Sequence, residues 1–189
     1  MDKPVTSESS RADGLRLEAT LIKWMVKNPQ LFHRVVTAKA YENITRDIDV
    51  WVITKTQQWV PMSIKVNEPQ YYEAPMLLEL RQAFYPKNKD GTYDYNGEPN
   101  VIDSWFYRGK AEYYLVWKRR TKTKGDVWLV NKQQLLSYVD EHGFDKVTTQ
   151  RKEVQDRERE DGKAFTELGL IDLKKLREHG VARLIGYVQ

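Results

Sequence analysis

Asp49-Val50-Trp51-Val52-Ile53, a polar turn over residues 54–58, and then Pro61-Met62-Ser63-Ile64-Lys65-Val66 form the stretch that decides how this chain folds. The side chains of a strand alternate between two faces, so Met62, Ile64 and Val66 share one face while Ser63 and Lys65 share the other. A lysine on a half-buried strand costs several kcal/mol unless an anion stands opposite it. Asp49, across the hairpin at the mouth of the apolar run, is a compensating charge of the right kind. The alternative is an edge strand whose Lys65 stands in water as a guard against aggregation.

Working outward, residues 34–40 and 47–54 read as strands that precede the lysine-bearing one, which gives an antiparallel three-strand meander. Trp51-Val52-Ile53 is apolar without alternation, as expected of a strand covered on both faces. Upstream, Leu17, Leu21, Trp24 and Met25 recur at helical spacing, and Asn28-Pro29 is a stop signal, so a helix is expected over 14–27. Glu18 borders its apolar stripe. Residues 1–13 read as a flexible N-terminal tail.

Downstream, Met76, Leu77, Leu80 and Phe84 suggest a helix over 75–84 ended by Pro86, and residues 87–100, rich in Gly, Pro and Asn, read as a long loop. Residues 111–117 and 127–130 read as a hairpin, and Asn131 is an N-cap for a helix over 132–141 closed by Gly143. Residues 14–189 are expected to form one domain. Within it, 151–165 is a charged loop and 166–189 a C-terminal extension in which Asp172 caps a short helix ended by Gly180.

The chain has 189 residues, no cysteine and a formal charge of +4. Lack of cysteine excludes a disulfide framework and thiolate metal sites and agrees with a reducing compartment. No run reaches the roughly 20 apolar residues that cross a bilayer, and no signal peptide is visible, so the expectation is a cytoplasmic protein without a membrane partner. Basic residues concentrate at Arg108, Lys110, Lys118, Arg119, Arg120, Lys122 and Lys124. With aromatic residues nearby, this suits either a surface that meets phosphates or a solvated hairpin tip. His33, His142 and His179 lie far apart in sequence without ligand spacing. There is no Gly-x-x-x-x-Gly-Lys phosphate loop. Trp59 and Trp105 are the tryptophans expected to be exposed.

Phosphodiester cleavage needs an activated water, neutralisation of charge on the transition state, and help for the leaving oxygen. Mg²⁺ on carboxylates supplies the first and third, and a fixed lysine assists the second. Two or three protein oxygens suffice for Mg²⁺. Glu18, Asp49 and Lys65 are a minimal set of that kind.

The order of a helix with Glu18, a meander with Asp49, a strand with Ser63-Ile64-Lys65, a helix and the aromatic strand Ala111-Glu112-Tyr113-Tyr114-Leu115-Val116-Trp117 resembles the PD-(D/E)XK, or restriction-endonuclease-like, nuclease superfamily, in particular its phage and archaeal resolvase-like members. The resemblance covers residues 14–142. It implies a three-layer α/β/α fold around a central mixed sheet and Mg²⁺- or Mn²⁺-dependent hydrolysis of DNA. Asp49 then corresponds to the motif aspartate, Lys65 to the motif lysine and Glu18 to the first-helix glutamate, with Asp47 a second choice for the aspartate. The superfamily usually has an acid two residues before the lysine, where this chain has Ser63. Some members move that acid to the following helix, where Glu79 or Glu73 would stand. The resemblance thus implies catalytic residues Glu18, Asp49, Ser63, Lys65 and Glu79, with Glu18, Asp49 and Glu79 on the metal. Arg108, Lys110, Arg119, Arg120, Lys122 and Lys124 would hold backbone phosphates. A homodimer would be needed to cut two strands symmetrically. The alternatives are a nucleic-acid-binding protein on the same fold that has lost catalysis with Ser63, and a protein-interaction module.

Overall fold

A computed structural model describes residues 7–151 and 162–189 of the chain. Helix α1 (Ser7–Val26) leads into β1 (Arg34–Thr37), α2 (Ala40–Arg46), β2 (Val50–Ile53) and β3 (Trp59–Asn67). After a single 3₁₀ turn come β4 (Met76–Phe84), β5 (Asn100–Asp103), α3 (Trp105–Arg108), β6 (Tyr113–Arg119), β7 (Gly125–Asn131) and α4 (Lys132–His142). The chain closes with β8 (Lys146–Arg151), β9 (Lys163–Ile171), α5 (Leu173–Glu178) and β10 (Ala182–Val188).

The strands form two sheets, so the fold is α/β with a mixed principal sheet. That sheet runs β1-β2-β3-β6-β7-β10 and is antiparallel except where β3 meets β6 side by side in parallel. A smaller antiparallel sheet runs β5-β4-β9-β8. The expected meander β1-β2-β3 is present, and so is the β6-β7 hairpin. Its parallel contact with β3 requires a long crossover, and that crossover contains β4, β5 and α3.

Each face of the principal sheet has its own core. Met62, Ile64, Leu115 and Trp117 pack on Leu21 and Met25 of α1. On the opposite face Tyr114, Val116, Trp128 and Val130 pack on Met76, Leu78 and Leu80 of β4 and on Leu135, Leu173 and Leu176 of α4 and α5. The second layer therefore combines a sheet with two helices, whereas the sequence pointed to helices on both faces.

The largest difference from expectation is residues 75–84, which form strand β4. Met76, Leu78 and Leu80 are buried at a period of two, and the same segment holds Leu77 and Phe84 at spacings that also fit a helix. Hydrogen bonding to β5 on one side and β9 on the other settles the conformation, because tertiary pairing outweighs the small differences in local propensity. Two more elements differ. Helix α2 occupies residues expected to connect two strands, and α1 begins at Ser7, inside the stretch read as a tail. The charged run lies largely at 152–161, outside the described residues. The segment after it is built into both sheets, β9 pairing with β4 and β10 with β7.

The helix signals at the C-terminal end match the structure closely. The Asn131 side chain accepts from the Gln134 amide at 3.0 Å, and that of Asp172 accepts from the Lys174 amide at 2.7 Å. Gly143 and Gly180 take the positive φ values that end these helices at no steric cost.

Trp117 is 0% exposed at the centre of the α1-side core. Trp117→Ala is expected to cost about 3–5 kcal/mol, read as a lower urea midpoint at unchanged slope. An unchanged midpoint would contradict β6 as a central strand.

Candidate active site

The site grows from the pairing of β2 with β3. Val50 is the terminal residue of β2 paired with β3, opposite Met62, and the Asp49 amide donates to the carbonyl of that same Met62 at 2.9 Å, so the regular ladder ends there. Ser63 and Lys65 pair with Tyr114 and Val116 of β6 and share their face, turned away from α1. Asp47 and Asp49 reach them with their side chains.

Side-chain hydrogen bonds join the four residues. Lys65 Nζ donates to Asp47 Oδ1 at 2.9 Å. Ser63 Oγ lies 3.0 Å from Asp47 Oδ1 and 3.1 Å from Asp49 Oδ2, bridging the two carboxylates. Asp49 also accepts from the Ile64 amide and from Asn43 Nδ2 on α2. The direct partner of Lys65 is thus Asp47 rather than Asp49.

Asp47 is held in an unusual state. It is the C-cap of α2 with φ 54° and ψ 45°, a left-handed conformation that aspartate tolerates better than most residues. It is only 7% exposed. Its second oxygen, Oδ2, is buried without a hydrogen-bond partner. Gly109 makes room for it, since a Cβ there would lie 3.2 Å from Asp47 Oδ2 and 2.6 Å from the Trp105 carbonyl oxygen.

Electrostatics tie Glu18 to this group across the end of the sheet. Burial pushes its carboxyl above the ordinary range and the negative charge of Asp49 adds to the rise, while Lys65 opposes it. The Asp49 carboxyl is also raised, chiefly by burial, against the lowering effects of the Ile64 amide, Lys65 and Ser63. Three acids therefore share the field of Lys65.

Lys132 and Tyr114 complete the site, and neither was singled out from sequence. Lys132 is buried at the first position of α4, its ammonium donating to the Gly109 carbonyl at 2.5 Å. Burial lowers its pKa, and nearby Asp47 works in the other direction. A cation at the positive end of a helix is electrostatically disfavoured, and that mismatch was the available sequence signal. The Tyr114 ring has Lys65 Nζ 5.6 Å and Lys132 Nζ 5.9 Å from its centroid. Its hydroxyl is buried without a partner, and burial together with Asp47 disfavours its ionisation.

Glu79 stands on β4 instead of a helix. It accepts from Ser104 Oγ at 3.2 Å and from Gln82 Nε2. With Asp47, Lys65, Glu68 and Tyr114 it lines one cleft of about 630 Å³. Glu73 is exposed and faces Lys174 at 3.8 Å.

The six phosphate-binding candidates do not form one patch. Arg108 and Lys110 precede β6 near the site, and the others lie at the far end of this seven-residue strand, about 20 Å away at ~3.3 Å per residue. Arg119 is buried and bonds the Asn67 carbonyl, and Arg120 pairs with Asp126 at 3.1 Å. Those two serve the fold; Arg108, Lys110, Lys122 and Lys124 are exposed. The histidines also depart from expectation. His142 and His179 meet at 5.2 Å between ring centroids, beside Tyr138, because the C-terminal ends of α4 and α5 converge.

Among the described residues no group of three or more His, Asp or Glu side chains is arranged to hold a metal ion. The carboxylate oxygens that come nearest to such an arrangement are Asp47 Oδ2, buried and unpartnered, and those of Asp49, joined to the same carboxylate through Ser63. Mg²⁺ accepts such a small protein share. Among the described residues no helix is long and apolar enough to cross a membrane. Comparison with protein-family models, curated proteins and solved structures gives no match to this chain.

The raised Glu18 carboxyl carries a sign. The folded state binds its proton more tightly than the unfolded state does, so stability falls as pH rises through the interval above the ordinary glutamate pKa. Glu18→Gln is expected to raise the urea midpoint at pH 7, with the gain vanishing below that interval. A midpoint lowered at neutral pH would contradict the assigned field.

Proposed function

We propose that this chain is a Mg²⁺-dependent nuclease of the restriction-endonuclease-like class, acting on DNA. The observation that carries the reading is the divided Asp47 carboxylate, one oxygen on Lys65 and the other buried with no partner, beside Asp49. A three-strand meander followed by a strand parallel to β3, with a helix bearing Glu18 on one face, supports the fold-level reading.

In this proposal Asp47 and Asp49 hold the cation, with Glu18 as a supporting acid at the rim and Glu79 facing the same cleft. When bound, the cation lowers the pKa of a coordinated water and offsets charge on the leaving oxygen. Lys65, fixed by Asp47, presents positive charge to the phosphate in a partly dry setting, where it counts for more than in water. Ser63 keeps the two carboxylates at a set separation. Lys132 holds the 105–109 segment against Asp47 through the Trp105 and Gly109 carbonyls. Arg108 and Lys110 supply backbone contacts beside the site.

A second reading has its own support. Ser63 is 0% exposed and its hydroxyl is already shared between one oxygen each of Asp47 and Asp49, as suits a nucleic-acid-binding protein that no longer cleaves.

Plasmid nicking separates the two. With Mg²⁺ or Mn²⁺ the intact chain is expected to nick supercoiled DNA, whose torsional strain opens unpaired stretches, and Lys65→Ala to lose at least about 100-fold of that rate with its circular dichroism unchanged. Salt-sensitive DNA binding without nicking under either metal would favour the second reading. Nicking unaffected by the substitution would refute the role of Lys65.

A further inference from the structure

The groups assigned above expose little surface. Asp47 is 7% exposed, Ser63 is 0% exposed, and the Lys65 side chain keeps 30% of its surface. Asp47 and Lys65 line the 630 Å³ cleft, a volume in the usual range for sites that enclose a small molecule. The duplex is wider than such a cleft. Its phosphates would stop at the rim.

The lining is mixed. Asp47, Lys65, Glu68 and Glu79 give it charge, and Tyr71, Leu77, Trp105, Phe106 and Leu170 give it apolar and aromatic walls. A phosphate has no use for those walls, whereas a nucleobase does, because any base can stack on an aromatic face. Tyr71 is 55% exposed and Leu77 47% exposed although both line the cleft. Exposed aromatic surface and a lysine in a cleft of this size match one nucleotide, with its base on the aromatic wall and its phosphate at Lys65.

We propose that the substrate is an unpaired strand, taken up one nucleotide at a time, with the base against Tyr71 and Trp105 and its phosphodiester at Lys65. This rests on the nuclease reading above and narrows it. Enzymes that act on a nucleotide inside a closed pocket commonly need it out of the duplex stack. Arg108, whose guanidinium lies 5.6 Å from the centroid of the Trp105 ring, stands where the neighbouring backbone would leave the cleft.

The test uses the full chain and three end-labelled oligonucleotides: a single strand, a blunt duplex of the same sequence, and that duplex with an unpaired end. Binding is read by fluorescence anisotropy in Ca²⁺ and cleavage on denaturing gels in Mg²⁺. The single strand and the unpaired end are expected to bind at least about tenfold tighter than the blunt duplex and to be cut within the unpaired residues. Tyr71 is exposed, so its replacement leaves the core intact. Tyr71→Ala is expected to weaken single-strand binding about tenfold, and Tyr71→Phe to stay within about twofold of the original. A blunt duplex bound and cut as well as the single strand would overturn this proposal and leave the nuclease reading standing. Failure to bind or cut any of the three would overturn both.

Discussion

Val50 lies opposite Met62, and this pairing constrains everything built at the site. It puts Val50, Val52, Met62 and Ile64 against α1 and turns Ser63 and Lys65 to the other face, where the Asp47 and Asp49 side chains bond them. A slip of β3 by one residue would drive Ser63 and the Lys65 ammonium into the α1-side core, so the hydrophobic pattern and the polar pair enforce the same register. The αL turn at Asp47 matters equally, because it brings that carboxylate back over the ladder at the moment the helix ends.

The cluster is held at a cost. Burial raises the Asp49 and Glu18 carboxyls, Lys132 is lowered by the same cause, and Asp47 Oδ2 and the Tyr114 hydroxyl have no partner. A buried acceptor without a donor typically costs about 1–3 kcal/mol. Titratable groups perturbed in this way gather at functional sites more often than elsewhere, although structural ion pairs produce similar shifts. What sets this cluster apart is an ion pair with a spare buried oxygen, lining a cleft that also carries aromatic walls.

Much of the principal sheet was legible in the sequence because period-two patterning and turn chemistry agree there. The meander, the β6-β7 hairpin and the caps at Asn131 and Asp172 are local features, and local signals suffice for them. Residues 76–84 fail that test: their apolar spacing suits a helix or a strand, and only the pairing with β9, more than eighty positions away in sequence, decides. The placement of Lys65 opposite an acid followed from strand parity. The choice of Asp47 over Asp49 did not, because it depends on α2 and on the left-handed turn that ends it. Lys132 and Tyr114 join the site through the crossover between β3 and β6, which no local pattern announces. The basic run was visible as composition, yet its division between a structural end and a site-facing end needs the length of β6.

Paramagnetic broadening by Mn²⁺ in amide-resolved NMR spectra tests the central claim most directly, because it reports where a divalent cation sits whether or not any substrate is cut. If Asp47 and Asp49 hold the cation, substoichiometric Mn²⁺ broadens the amides of residues 47–49 and 63–65 first, and Asp47→Asn removes the effect. Broadening centred elsewhere, or unchanged by that substitution, would contradict the account.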